Sequence, residues 1–180
     1  MKNIIKIYLV AFMFIAAPVF AVEGMAVIDM RTAVLSTQAA ADAFKALEED
    51  ADYSSNLEEA QSLQAERQAI AEKLQKELET LSQQEIAQMQ KDIQDKGKDL
   101  EFLAGKIQQA QEETAQQVFT SSGPEMQKII GELIAAKQIK VLLAKNETML
   151  FSDPALDLTD DVTSMLDVAA AAAEANTQSE

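Results

Sequence analysis

The side chains best suited to chemistry in this sequence are carboxylates. Glu48, Glu49 and Asp50 are consecutive, Glu58-Glu59 and Glu112-Glu113 are adjacent pairs, and Asp153, Asp157, Asp160 and Asp161 crowd one short stretch. Two carboxylates can share acid and base roles in hydrolysis when their surroundings drive their pKa values apart. Adjacent residues on an exposed helix point in different directions and nothing desolvates them, so these pairs read as a solvated face. The aspartate group invites calcium, but it lacks the glycine at the sixth loop position and the glutamate at the twelfth that an EF-hand needs. Helix capping explains it better. With no Cys and no His, the chain has no disulfide framework, no thiolate or imidazole zinc site, no Cys nucleophile and no triad with a His base. It also has no Gly-rich phosphate loop of the Walker type. No catalytic residue, cofactor or metal site is nominated.

The chain has 180 residues, 30 acidic against 15 basic, for a net charge of −15. Nucleic-acid affinity comes largely from Lys and Arg displacing condensed counterions, so a nucleic-acid partner is disfavoured. Of the 48% apolar residues, 30 are Ala, which buries little area, so a large single core is not expected. Residues 1–21 hold Lys2 and Lys6, an apolar run over 7–17, and Pro18-Val19-Phe20-Ala21. This is the pattern of a secretory signal peptide cut after Ala21; the alternative is an uncleaved anchor, since residues 4–22 nearly span a bilayer. Either way the bulk of the chain is exported, to the periplasm in a bacterium. Without the leader, 13 basic against 30 acidic residues leave −17.

Residues 25–122 contain no proline and only two glycines, Gly97 and Gly105, and are rich in Ala, Glu, Gln, Lys and Leu, the composition of long helices. Leu63, Ile70, Leu74 and Leu81 recur at spacings of seven and four, and Ile86, Met89, Ile93, Leu100, Leu103, Ile107 and Ala110 hold a three-four alternation with Lys96 in the vacant place. So narrow a stripe must pair with another helix. Ser82-Gln83-Gln84-Glu85, after Leu81, fits a capping box. It predicts a hairpin with its tip near 80–82, one arm over about 37–80 and the other over about 82–119, each roughly 60 Å long. The alternative is one unbroken helix in a parallel coiled coil.

The flanks differ. Residues 26–30, 139–144 and 147–151 read as three strands, the last two joined at Lys145-Asn146. Gly123-Pro124 predicts the stop of one helix and the start of another that runs to about Lys137. Thr159 predicts the cap of a short helix through Leu166, and residues 168–180 read as a frayed, disordered Ala-rich tail. The fold class is therefore α+β: a first body segment over 22–36, a helical hairpin over 37–120 and a second body segment over 121–167. Three strands leave edges open, and closure between subunits is the remedy. The strand residues expected at such an interface are Val27, Ile28, Val141, Leu142, Leu143, Met149 and Leu150.

In this order, the leader, the strand over 25–30, the tip Leu81-Ser82-Gln83-Gln84-Glu85, the Pro124 helix, Val141-Leu142-Leu143 with its partner through Phe151, and Leu158-Thr159-Asp160-Asp161-Val162 resemble the periplasmic Skp/OmpH chaperone family over nearly the whole mature chain. The resemblance implies a homotrimer in which strands from three subunits form a small barrel and three hairpins project as tentacles around a cavity. It implies an ATP-independent holdase that encloses unfolded outer-membrane β-barrel proteins during transit, with no cofactor. One departure stands out. Better-known members have basic arms, whereas residues 42–118 here carry 18 acidic and 8 basic side chains, which makes binding to an anionic membrane surface doubtful. A second reading is a structural coiled-coil spacer or adaptor of the envelope, which has no need of the terminal strands. Gly97 and Gly105 are read either as flexible points or as ordinary solvent-facing glycines. Met89, Met126, Met149 and Met165 are read as core before they are read as adaptable client contacts.

Overall fold

The computed structural model describes residues 24–177. The leader with its cut after Ala21, and residues 178–180, lie outside that range. A short strand β1 (Met25–Ile28) leads into α1 (Met30–Leu35), α2 (Gln38–Glu49) and α3 (Ala51–Glu77). The long α4 (Gln83–Ala136) returns alongside them to β2 (Val141–Ala144), a 3-10 turn (Pro154–Leu156) and α5 (Thr159–Thr177). At 1.5 Å per residue, α3 is about 40 Å long and α4 about 80 Å.

Local chemistry explains the boundaries. The side chains of Asp29 and Thr37 accept from the backbone N–H groups of Thr32 and Ala40, starting α1 and α2. The arm expected over 37–80 is divided at Asp50, whose extended backbone (ψ 132°) ends α2 and starts α3, its carboxylate accepting from the N–H groups of Asp52 and Tyr53. At the other end Ser82 caps α4 with both halves of the capping box formed. Gln138, with φ 53°, takes the left-handed turn that closes α4, and the Ile139 N–H donates to Ile134 O.

Three sequence expectations are corrected. Pro124 does not begin a new helix; it lies inside an unbroken α4. An interior proline costs about 3 kcal/mol by deleting one backbone bond, but Val118, Met126, Ile129 and Leu133 bury the turns on both sides of it in one core, and this outweighs the loss. Residues 168–177 are not a frayed tail: they continue α5, because alanine is the best helix former. Residues 147–151 form no strand. Asn146 instead accepts from the Thr148 N–H and hydroxyl through its side-chain oxygen and from the Met149 N–H through its carbonyl, making a tight turn. β-Propensity expresses fit to a pleated, half-covered surface, and a single chain offers residues 147–151 none.

The sheet is two parallel strands, Met25 opposite Val141 through Ile28 opposite Ala144. Gly24, at φ +83°, opens β1 with its carbonyl accepting from the N–H groups of Lys140 and Val141. A Cβ there would stand 2.9 Å from the Lys140 side chain. The core lies where β1, α1, the start of α2, the last third of α4 and α5 meet. Ile28, Ala33, Val34, Ala40, Met126, Ile129 and Val162 are its centre, and Ala33 and Ala40 let the helices approach closely.

Candidate functional site

Two regions expose unusual chemistry: the sheet edge of the body and the arms.

β1 is covered on both sides. β2 flanks one edge, and on the other Val27 bridges Asp157 while the Leu158 N–H donates to Val27 O, 2.9 Å. Val27 and Ile28 are accordingly buried within one chain, at 5% and 2% exposure. The single chain thus already covers these two residues, which the sequence placed at an intersubunit surface. β2 is different: among the described residues only β1 pairs with it. Leu142 packs on the core, whereas Val141 and Leu143 point outward and are exposed. After β2, Met149 is half-buried, and Leu150 and Phe151 are 99% and 83% exposed. The chain thus carries an open strand edge and an uncovered apolar segment within a dozen residues.

A polar network holds this edge in place. Lys145, just beyond β2, donates its N–H to Ile28 O and its ammonium to Asp157, 2.7 Å. Asp157 accepts from the Thr159 N–H and hydroxyl, and the Thr159 oxygen accepts from the Asp29 N–H, 3.0 Å. Thr159 is thus the first residue of α5 rather than the cap expected from the sequence: Asp157 accepts from its N–H, and its hydroxyl ties strand to helix. The Thr32 backbone N–H holds the Asp29 carboxyl below its ordinary value. Desolvation pushes Asp157 up, but Lys145 and Thr159 outweigh it and the net shift is down. The Asp157 contact raises Lys145. Asp153 accepts from the Ala155 N–H, and Asp161 pairs with Lys137, 2.8 Å. Asp153, Asp157 and Asp161 are occupied as caps and ion-pair partners, Asp160 lies in the first turn of α5, and among the described residues no group of His, Cys, Asp or Glu is arranged to hold a metal.

The arms, α3 against α4, meet along a thin seam. Leu63, Ile70, Leu74, Leu81, Ile86, Met89, Ile93, Leu100 and Ile107 are all half-buried, and only Leu103 and Tyr53 are fully covered. The Tyr53 hydroxyl accepts from the Gln111 amide, 2.8 Å. Lys96, in the vacant seam position, reaches across to Glu66, and this contact holds the Glu66 carboxyl below its ordinary value. Gly97 is half-buried, with Arg67 of α3 4.0 Å from where its Cβ would be, and Gly105 faces open space; neither interrupts α4. At the tip, Leu81 is half-buried and Glu85 accepts from the Ser82 N–H and hydroxyl, which holds its carboxyl down. Met126 is buried and Met165 packs against the same core, while Met89 lies in the seam.

Sequence reasoning passed over Asp50 as a cap, since it stood in an acidic run, and over Phe102, an arm residue outside the seam pattern. Phe102 is 65% exposed, with the Lys106 ammonium 5.1 Å from its ring centre. Exclusion from the three-four alternation was the available signal. No described helix is long and apolar enough to cross a membrane.

No curated protein matches the chain. Among solved structures, a protein of Caulobacter crescentus CB15 designated an outer membrane chaperone (OmpH-like) is 23% identical, with 81% of this chain and 84% of that chain covered and a TM-score of 0.44. The family model for outer membrane protein (OmpH-like) matches residues 24–166, the span from the first residue of the β1 turn through the last core residue of α5, and the chain belongs to the OmpH-like, or Skp/OmpH, family.

Proposed function

We propose that this protein is a periplasmic, ATP-independent holdase that assembles as a homotrimer and encloses unfolded outer-membrane β-barrel proteins between its arms. The observation that carries the reading is the combination of an open β2 edge with exposed Val141, Leu143, Leu150 and Phe151 on a body that bears two long, thinly packed helices. An exposed apolar edge is an aggregation hazard unless another chain covers it. Closing it with further copies of the same chain leaves three hairpins standing around a common axis. In this assembly Val141, Leu142, Leu143, Met149 and Leu150 belong to the intersubunit barrel, and residues 147–151 gain the partner strand that one chain lacks.

Unfolded outer-membrane strands alternate apolar and polar residues and aggregate in water. Arms with a slender seam offer many weak contacts, and several arms acting together raise the effective concentration of contacts without one deep pocket. The client stays unfolded and leaves when it inserts into a membrane. Export through residues 1–21 supplies the compartment. The acidic arms disfavour direct binding to an anionic bilayer.

The test pairs native mass measurement of the mature protein with light scattering of a denatured outer-membrane barrel diluted from urea. The reading expects a trimer and suppressed scattering. A monomer at micromolar concentration sinks the assembly, and undiminished scattering sinks the chaperone. Val141→Asp places a charge on the open edge and is expected to abolish the trimer; an unaltered mass removes Val141 from the interface.

A further inference from the structure

Phe102 stands on the arm with most of its ring in solvent, and the ammonium of Lys106, on the same helix, lies over it. Lys106 also lines a groove of about 410 Å³ between α3 and α4, shared with Asp52, Asn56, Gln109 and Glu113. Gly105, one turn beyond Phe102, adds no side chain, and nothing lies within 4 Å of where its Cβ would be. One lysine therefore stands over an aromatic face and shares its groove with two carboxylates, of which Glu113 also accepts from the Gln109 amide, 2.8 Å. Aromatic rings attract ammonium and guanidinium groups within about 6 Å of the centroid, and carboxylates beside them add charge-assisted hydrogen bonds.

The wider field has the same sign. Residues 42–118 hold 18 acidic and 8 basic side chains, and Lys76, Lys96 and Lys98 are already committed to Glu72, Glu66 and Asp95. The excess of carboxylate cannot be neutralised from within the arm. We propose that the Phe102–Lys106 face and the adjoining Asp52–Glu113 groove dock cationic stretches of extended, unfolded polypeptide. The inference rests on the chaperone reading above and names the class of client segment the arms prefer. An incoming guanidinium takes the ring that Lys106 occupies in the free chain, because it is more weakly hydrated than an ammonium and stacks on aromatic faces. Lys106 is thus a competitor, and its removal strengthens binding.

The experiment uses the full mature chain and two fluorescein-labelled peptides, one alternating valine and arginine and one alternating valine and glutamate, read by anisotropy at low and high salt. The arginine peptide is expected to bind more tightly, with affinity falling as salt rises. Phe102→Ala should weaken it about two- to fivefold and Lys106→Ala should tighten it about twofold, with circular dichroism unchanged in both because neither side chain is in the seam. Equal binding of the two peptides, or no change in Phe102→Ala, overturns the proposal. Suppression of barrel-protein scattering is measured on the same samples. Scattering suppressed without a charge preference defeats this inference and leaves the chaperone reading intact, whereas arginine-peptide binding without suppression does the reverse.

Discussion

Asp157 does three things at once: it accepts from the first N–H of α5, pairs with Lys145 beyond β2, and bridges backbone to Val27 of β1. Together with Asp29 it makes the open edge dependent on two ionised carboxylates. Both have folded-state pKa values lowered below the ordinary 3.8. Their contribution is present in full above that value and is lost as pH falls through the lower folded values, where the native state must take up protons later than the unfolded one. Lys145 is shifted the other way, above 10.5, so its share persists below that pH and disappears on strong alkalinisation. Asp157→Ala is expected to cost about 1 kcal/mol through the lost cap alone. Asp157→Asn keeps a side-chain acceptor but removes the charge, and should flatten the fall in thermal stability below pH 3.8. Melting curves at fixed protein concentration between pH 2 and 7 check this; an acid limb as steep as the parent's would place the acid sensitivity elsewhere.

At the scale of elements, Lys96 shows how a thin seam sets its register. It occupies a position where the pattern calls for an apolar residue, its side chain is 22% exposed, and its charge meets Glu66 on the opposite arm. A single polar residue at such a site specifies alignment at some cost in stability. Lys96→Leu is therefore expected to stabilise the hairpin by about 1 kcal/mol through added apolar burial. It should also broaden the distance distribution between spin labels placed on α3 and α4; an unchanged distribution would mean that the leucines alone fix the register. The seam and its tip were readable because their causes are local: the three-four spacing and the capping box at Ser82 each lie within a few residues of what they determine. Asp50 was equally local, but its cap was hidden in an acidic run. Pro124 was misread because a proline's preference for a first helical turn was overruled by the buried residues on either side of it. Residues 147–151 were misread as a strand because propensity does not say whether a covering surface exists. The parallel pairing of β1 with β2 joins residues more than a hundred positions apart, and no spacing within either strand encodes it.

Over the whole molecule, charge and length act together. Residues 22–180 carry −17, and −10 of that lies within residues 42–118, which make up most of the two arms. In the proposed trimer three such arms face one cavity, and like charges along parallel rods repel over roughly a Debye length, about 30 Å at 0.01 M salt and 10 Å at 0.1 M. At low ionic strength the arms should splay, and added salt should let them close. Apolar contact between arms opposes the splay only weakly, since the seam side chains are half-covered by the neighbouring helix and, outside them, Leu78 and Phe102 are the large apolar side chains that the described arm residues expose. Small-angle X-ray scattering of the assembled protein is expected to show the radius of gyration falling as sodium chloride rises from about 0.01 to 0.5 M, with sedimentation confirming a constant mass. The same titration should narrow the range of client sizes that the cavity accepts, because a closed set of arms encloses less volume. A radius independent of salt at constant mass would mean that the arms are held at fixed angles by the body and that their acidity serves client choice rather than spacing.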